Sequence, residues 1–234
     1  MKSAATRHCQ LSTASCLLFL VLLSLFCACS QGEEGESSLT QATAEFGDVY
    51  VNAEKRAVSI VTDGNDSLLF SPPYASKLFT KGDSTYRTIT FYNKGDARNT
   101  QVISITPIPT ISMKESAKLH KDSIHTDPVR LTAIWKSRNG KYLNFSLRVL
   151  SGTADASSVH KLGLLLDSVK LYMGGRRHAY VRLFHDQAGI PEFYSSSTYF
   201  SLPLSTLSKT LKTADSISIA VNTYDGWRTM SFTK

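Results

Sequence analysis

Histidines, cysteines and clustered carboxylates are where catalytic or metal chemistry would show by spacing. The four cysteines are Cys9, Cys16, Cys27 and Cys29. Beyond Cys29 there is none, which excludes disulfides, Cys-type zinc sites, iron–sulfur clusters and a cysteine nucleophile from the rest of the chain. The later histidines are His120, His125, His160, His178 and His185, and none forms an H-x-H or H-x-x-x-H pair. No metal site is expected from that spacing. His185-Asp186 is the one acid–base neighbour pair of interest, because a carboxylate can orient an imidazole for hydrolysis. Asp63, Asn65 and Asp66 place oxygen ligands at a calcium-like spacing. They lack the later Glu of an EF-hand, and a hairpin turn explains Asp-Gly-Asn equally well. Gly174-Gly175 is not followed by Lys-Ser/Thr, so it is no phosphate loop, and no Gly-x-Ser-x-Gly elbow occurs. Glycoside hydrolysis would need two carboxylates facing each other about 5–9.5 Å apart. The second half offers Asp122, Asp127, Asp155, Asp167, Asp186, Glu192, Asp215 and Asp225, several of them at turns or strand boundaries. The chemistry search therefore points to a non-catalytic chain without a cofactor.

Recognition chemistry is better represented. Trp135, Tyr142, Tyr194, Tyr199, Tyr224 and Trp227 would stack on sugar rings if exposed, or fill a β-rich core if not. Arg176-Arg177-His178 with Lys170 nearby would suit a sulfate, a uronate or a lipid phosphate. The alternative is a solvated hairpin end.

These residues are carried by a chain of 234 residues, 42% hydrophobic and 19% charged, enough to bury a core. Lys2 and Arg7 precede an apolar run, Cys16–Phe26, of 11 residues. That is too short to span a bilayer, which needs about 20 residues. It reads as an export signal over residues 1–28. The following Cys27-Ala28-Cys29-Ser30 resembles a lipobox with Cys29 as the acylated residue, although Phe26 stands where Leu, Val or Ile is usual. Ordinary cleavage and release is the alternative. Residues 29–46, with Glu33, Glu34, Glu36 and Glu45 and no base, read as a flexible acidic tether. Acids just after an acylated cysteine resemble a surface-export tag, and a plain spacer is the other reading. The net charge of +7 is concentrated late: residues 121–234 hold 15 bases against 8 acids. On an exported protein that favours acidic glycans or lipid headgroups over nucleic acid.

From Asp48 onward apolar residues alternate with period two. The first half shows five or so short strands, with turns at Asp63-Gly64-Asn65, Lys81-Gly82-Asp83 and Lys94-Gly95-Asp96. Pro72-Pro73 ends the third run. A small OB-type barrel over residues 47–120 fits this pattern. Ser112 and Glu115 have capping-box spacing and predict a short connecting helix to His120. Residues 121–234 show about seven strands. Asn139-Gly140, Gly174-Gly175 and Asp225-Gly226 mark hairpins, and Pro203–Leu207 marks one helical turn. That indicates a β-sandwich.

Thr126–Trp135 and Asn139–Phe145 resemble the start of the C-terminal domain of NigD-like proteins. Val181–Asp186 is similar to that family's strand ending in a His-Asn or His-Asp turn, which makes His185-Asp186 a turn first. Tyr199–Leu207 and Ser216–Gly226 resemble its later segments. The resemblance implies an OB-like domain, a β-sandwich and a lipoprotein signal. The chain is accordingly expected to be all-β and non-catalytic, attached to the outer membrane through Cys29, with a glycan or protein ligand. Its family name suggests a second role, bacteriocin immunity. A secreted glycan-active enzyme is the third reading.

Overall fold

The computed structural model of the chain describes residues 42–93, 95, 97–152 and 159–234. The export signal, Cys29 and Glu33–Glu36 lie outside the described residues, as do Lys94, Asp96 and Asp155. The described residues form one compact unit.

The first half is a meander of β1 (Ala42–Val51), β2 (Arg56–Thr62), β3 (Ser67–Ala75), β4 (Ser84–Asn93) and β5 (Gln101–Pro107). The sheet order is β3-β2-β1-β4-β5. A parallel bridge between Phe70 and Thr100 brings the two edges together, so the sheet curls into a small, partly closed barrel. Alternation decides which strand side chains go inside: Val49, Val51, Ala57, Ile60, Phe70 and Ile105 form its core, joined by Phe79 from the β3–β4 connection.

Two details differ from the sequence reading. Residues 42–46, expected in the tether, are the start of β1 and pair with β4 from Ala42↔Asn93 to Phe46↔Ile89. Their composition is polar, but cross-strand pairing supplied by a distant strand overrides local preference. Likewise β3 runs on through Pro72-Pro73 to Ala75. Proline is tolerated there because β3 is an edge strand and its register with β2 shifts between Ala57 and Ser59.

The second half is β6 (Met113–Glu115), β7 (Arg130–Lys136), β8 (Tyr142–Ser151), β9 (Lys161–Leu171), β10 (Arg177–Asp186), β11 (Tyr194–Pro203), β12 (Ser216–Thr223) and β13 (Gly226–Thr233). They form a five-stranded sheet, β13-β12-β10-β9-β6, and a three-stranded sheet, β11-β8-β7. The two pack as a sandwich over a core that includes Phe145, Phe200, Leu147, Leu164, Val181, Leu202, Ile217 and Ile219. Phe145 stacks on Phe200 at 4.4 Å between centroids.

The expected connecting helix is not formed. Met113–Glu115 instead pairs in parallel with Leu164–Leu166 of β9, followed by 3-10 turns at Ser116–Lys118 and Lys121–Ser123. Ser112 caps nothing, and Glu115 pairs with Lys118 instead. A nine-residue helix is marginal by itself, and an open edge of β9 offers better hydrogen bonding. The stretch thus adds a strand to the second half's sheet. The helical turn expected after Pro203 is present as a 3-10 turn, Leu204–Leu207.

Candidate functional site

The six aromatic residues singled out by sequence separate into two groups. Trp135, Tyr142 and Tyr199 lie where the barrel meets the sandwich. Phe46 of β1 contacts Trp135 edge-on at 5.0 Å and Tyr199 at 6.1 Å. Tyr142 lies beneath the Arg87 guanidinium, 3.9 Å from carbon to ring centroid. Tyr194, Tyr224 and Trp227 are exposed.

Arg87 organises the meeting of barrel and sandwich. It sits mid-β4, directly opposite Asp48 on β1, and is buried. Its Nη2 donates to Asp63 Oδ2 at 2.7 Å and to Asn144 Oδ1 at 2.9 Å. Nη1 donates to Asp48 Oδ1 at 3.4 Å, and Nε to Ser201 Oγ at 3.1 Å. Asn144 Nδ2 donates to Asp63 Oδ2 at 2.6 Å, and Ser201 Oγ donates to Asn144 Oδ1 at 2.8 Å. The Tyr142 hydroxyl donates to Asp48. Burial, helped by the Asp48 carboxylate, pushes that hydroxyl up to about 12. Asp63, one of the calcium-like residues, is therefore a partner of Arg87. Asn65 sits in the left-handed region of the β2–β3 turn, which closes as the Thr62 N–H donates to the Asp66 carbonyl and the Asp66 N–H donates to Thr62 Oγ1. Among the described residues, no group of three or more His, Cys, Asp or Glu could hold a metal ion.

A second cluster was not visible in sequence. Ser151 Oγ is 3.0 Å from His160 Nε2, His160 Nδ1 is 3.0 Å from His185 Nε2, and His185 Nδ1 is 3.0 Å from the Asp127 carbonyl. A carbonyl can only accept, so the tautomers follow in order. His185 donates to Asp127, His160 donates to His185, and the Ser151 hydroxyl donates to His160. This has the outline of an activated serine. A general base must accept a proton, however, and His160 is held below the usual imidazole range by burial and then by His185. The outermost group is a neutral carbonyl where a hydrolase uses a carboxylate to stabilise the imidazolium. This run of hydrogen bonds is a clasp joining β8, the entry to β9, β10 and the segment before β7. The carboxylate beside it, Asp186, pairs instead with Lys161 at 3.0 Å. Nothing in residue spacing signals this clasp, because Ser151 ends β8, His160 precedes β9 and His185 lies in β10.

The exposed group gathers at one end of the sandwich. The Asp225-Gly226 turn, with Gly226 at φ +100°, presents Tyr224 and Trp227. The Tyr224 hydroxyl donates to Glu192 Oε1 at 3.3 Å, which ties the turn to the segment carrying Phe193 and Tyr194. The Arg130 guanidinium lies 5.9 Å from the Tyr224 ring centroid. A hollow of about 250 Å³ between them is lined by Val129, Arg130, Leu131, Thr223, Tyr224, Asp225 and Arg228. Phe193 is 78% exposed and Trp227 54%. Burial and the Glu192 carboxylate raise the Tyr224 hydroxyl above its ordinary range, so it remains a donor. Exposed aromatics beside arginines are the residue types that dominate recognition surfaces.

Residues 109–234 match the family described as the NigD-like C-terminal beta sandwich domain. The chain belongs to the NigD-like family. A NigD-like immunity protein from Bacteroides caccae superposes with a TM-score of 0.60 at 20% identity, covering 82% of this chain and 92% of that one. A protein provisionally named toxin-related, from Parabacteroides distasonis, gives 0.63 at 16%, over 82% and 93%. One provisionally named a lipoprotein, from Bacteroides fragilis, gives 0.54 at 11%, over 82% and 96%. At these identities the likeness is one of fold. No curated protein sequence matches the chain. In this NigD-like chain, the segments that carry the family resemblance supply Trp135, Tyr142, Asn144 and Ser201 to the Arg87 joint, and His185 to the clasp. They describe how the sandwich is built and joined more than what it binds. Arg130 and Tyr224, which line the exposed hollow, stand apart from these.

Proposed function

We propose that this NigD-like chain is a non-catalytic lipoprotein of the cell envelope. Cys29 holds it on the outer membrane, and the sandwich presents a recognition surface to a glycan or protein ligand. The observation that carries the binding role is the exposed cluster of Tyr224, Phe193, Tyr194 and Trp227, flanked by Arg130 and Arg228. The domain plan behind it is a signal over 1–28, a tether from Cys29, an OB-like barrel and a sandwich. Several acylated chains on Cys29 would hold the protein firmly, at about 0.8 kcal/mol per buried CH₂. An immunity-type role, in which the surface intercepts a toxin, is the second reading. It is supported by the name given to the B. caccae protein.

Protease shaving of intact cells, with a Cys29→Ser strain alongside, tests the location. Digestion of the sandwich in the wild type, with release of the Cys29→Ser protein, is the expected result for a surface lipoprotein. Survival until the outer membrane is broken would move it to the periplasmic face and remove the export-tag reading of Glu33–Glu36. A Tyr224→Ala, Trp227→Ala variant tests the surface: loss of ligand capture from envelope extracts at unchanged thermal stability is expected. Capture equal to wild type would sink the assignment of this cluster.

A further inference from the structure

The β9–β10 hairpin carries a feature that the recognition surface does not use. Among the described residues, none forms a layer over its far end. The last five residues of β9, Asp167–Leu171, are all exposed, because β6 pairs only with Leu164–Leu166. On the other side, β12 begins opposite His178, so residues 171–176 extend past the neighbouring strands. The turn is tight, with Gly174 at φ +82° and Gly175 at φ +74°, and a Cβ at either position would meet nothing within 4 Å. This projecting end is apolar where solvent is most accessible: Met173 is 99% exposed and Leu171 71%, with Tyr172 between them.

The tip is also braced by its own side chains and one-signed. Tyr172 and Tyr180 share a hydroxyl hydrogen bond at 2.6 Å, Tyr172 meets His178 edge-on, and Lys170 lies over the Tyr180 ring. Lys170, Arg176 and Arg177 surround the apolar residues, and no acid occurs from Ser168 to His185. Arg177 is tethered through Nη1 to the Thr210 carbonyl, which leaves Lys170 and Arg176 at the rim. Elsewhere on the hairpin, Arg182 is bidentate with Asp167, and Lys161 pairs with Asp186.

We infer that the Leu171–Met173 tip is a second membrane contact, which dips into an anionic bilayer surface while Lys170 and Arg176 meet the lipid phosphates. A protruding apolar tip with a ring of bases matches that surface in both respects: apolar atoms gain by leaving water, and cations gain from the negative surface potential. Charge complementarity selects the bilayer over a second copy of this chain, whose sandwich carries the same positive excess. The inference rests on the proposed envelope location.

The test uses the protein as cells process it, purified from membranes and reconstituted with Met173→Cys carrying a nitrobenzoxadiazole label. The unsubstituted protein, labelled in parallel, is the blank. In phosphatidylcholine vesicles containing phosphatidylglycerol, the emission should shift to the blue and resist quenching by aqueous iodide. Lys170→Glu with Arg176→Glu should abolish both effects, with partitioning reduced about fivefold per charge removed. Protein that floats with the vesicles but shows an unshifted label overturns the tip contact alone. Protein that stays in solution with an unshifted label overturns the tip contact and the anchor together. An equal shift in pure phosphatidylcholine overturns the role of the bases. A shift that follows protein concentration without vesicles assigns the tip to a second copy instead.

Discussion

Arg87 is a single cation between two carboxylates in a place that water hardly reaches. Removing it would leave Asp48 and Asp63 facing Asn144 and Ser201 without neutralisation. Breaking such a pair from one side costs about 3–5 kcal/mol. Arg87→Ala should therefore lower the unfolding free energy by that order, read as a lower denaturant midpoint. Arg87→Lys should recover only part of it, since an ammonium cannot span Asp63, Asn144 and Ser201 in one plane. A chemical denaturation series reads both; equal stability of Arg87→Lys and wild type would refute the planar argument. The histidine clasp gives a pH signature with a defined sign. His160 is lowered in the folded state, so the unfolded chain binds the proton more readily. Its contribution to stability is complete above the unfolded imidazole value of about 6.5, and is lost as pH falls below that toward the lowered folded value. Melting temperature followed from pH 7.5 downward should decline through this window, and less steeply in His160→Gln. A parallel decline in both proteins would show that another group is responsible.

At the scale of elements, strand ends and turns determine what reaches the surface. Gly82 belongs to the turn before β4, at an ordinary φ, yet its surroundings exclude a side chain. A Cβ there would lie 2.7 Å from the Ala53 carbonyl oxygen and 2.9 Å from that of Asn52, both main chain between β1 and β2. Gly82→Ala should cost about 1–3 kcal/mol, because the neighbouring backbone must move. Gly174→Ala tests the contrasting case: open space but a left-handed φ, for a loss of about 1–2 kcal/mol. Thermal unfolding of the pair, with Gly82→Ala failing to fall below wild type, would contradict the steric reading. The β6 segment shows why local signals misled. Its capping-box spacing is genuine, but three residues of parallel pairing to β9 place those residues in a strand.

Across the whole molecule, the joint makes barrel and sandwich one compact unit. Contacts of Arg87 reach β1, the β2–β3 turn, β8 and β11 at once. Asn139 adds bonds to the Thr62 and Asp63 carbonyls. Calorimetry should show a single transition for the wild type. Arg87→Ala should separate it into two, because each half keeps its own apolar core. Two transitions already present in the wild type would mean that the joint does not couple the halves.

Period-two alternation from Asp48 onward, and the Asn139-Gly140 and Asp225-Gly226 turns, determined an all-β chain by themselves, because side-chain direction in a strand depends only on neighbours in sequence. The same local logic read Trp135, Tyr142, Tyr199, Tyr194, Tyr224 and Trp227 as one class of residue. Only the tertiary structure divided them, sending three into the joint with Phe46 and Arg87 and leaving three in water. It alone assembled Ser151, His160 and His185, and assigned Asp63 to Arg87, since those partners are 9 to 25 positions apart in the chain. Burial and charge pairing are properties of what folding brings together, and no spacing along one strand encodes them.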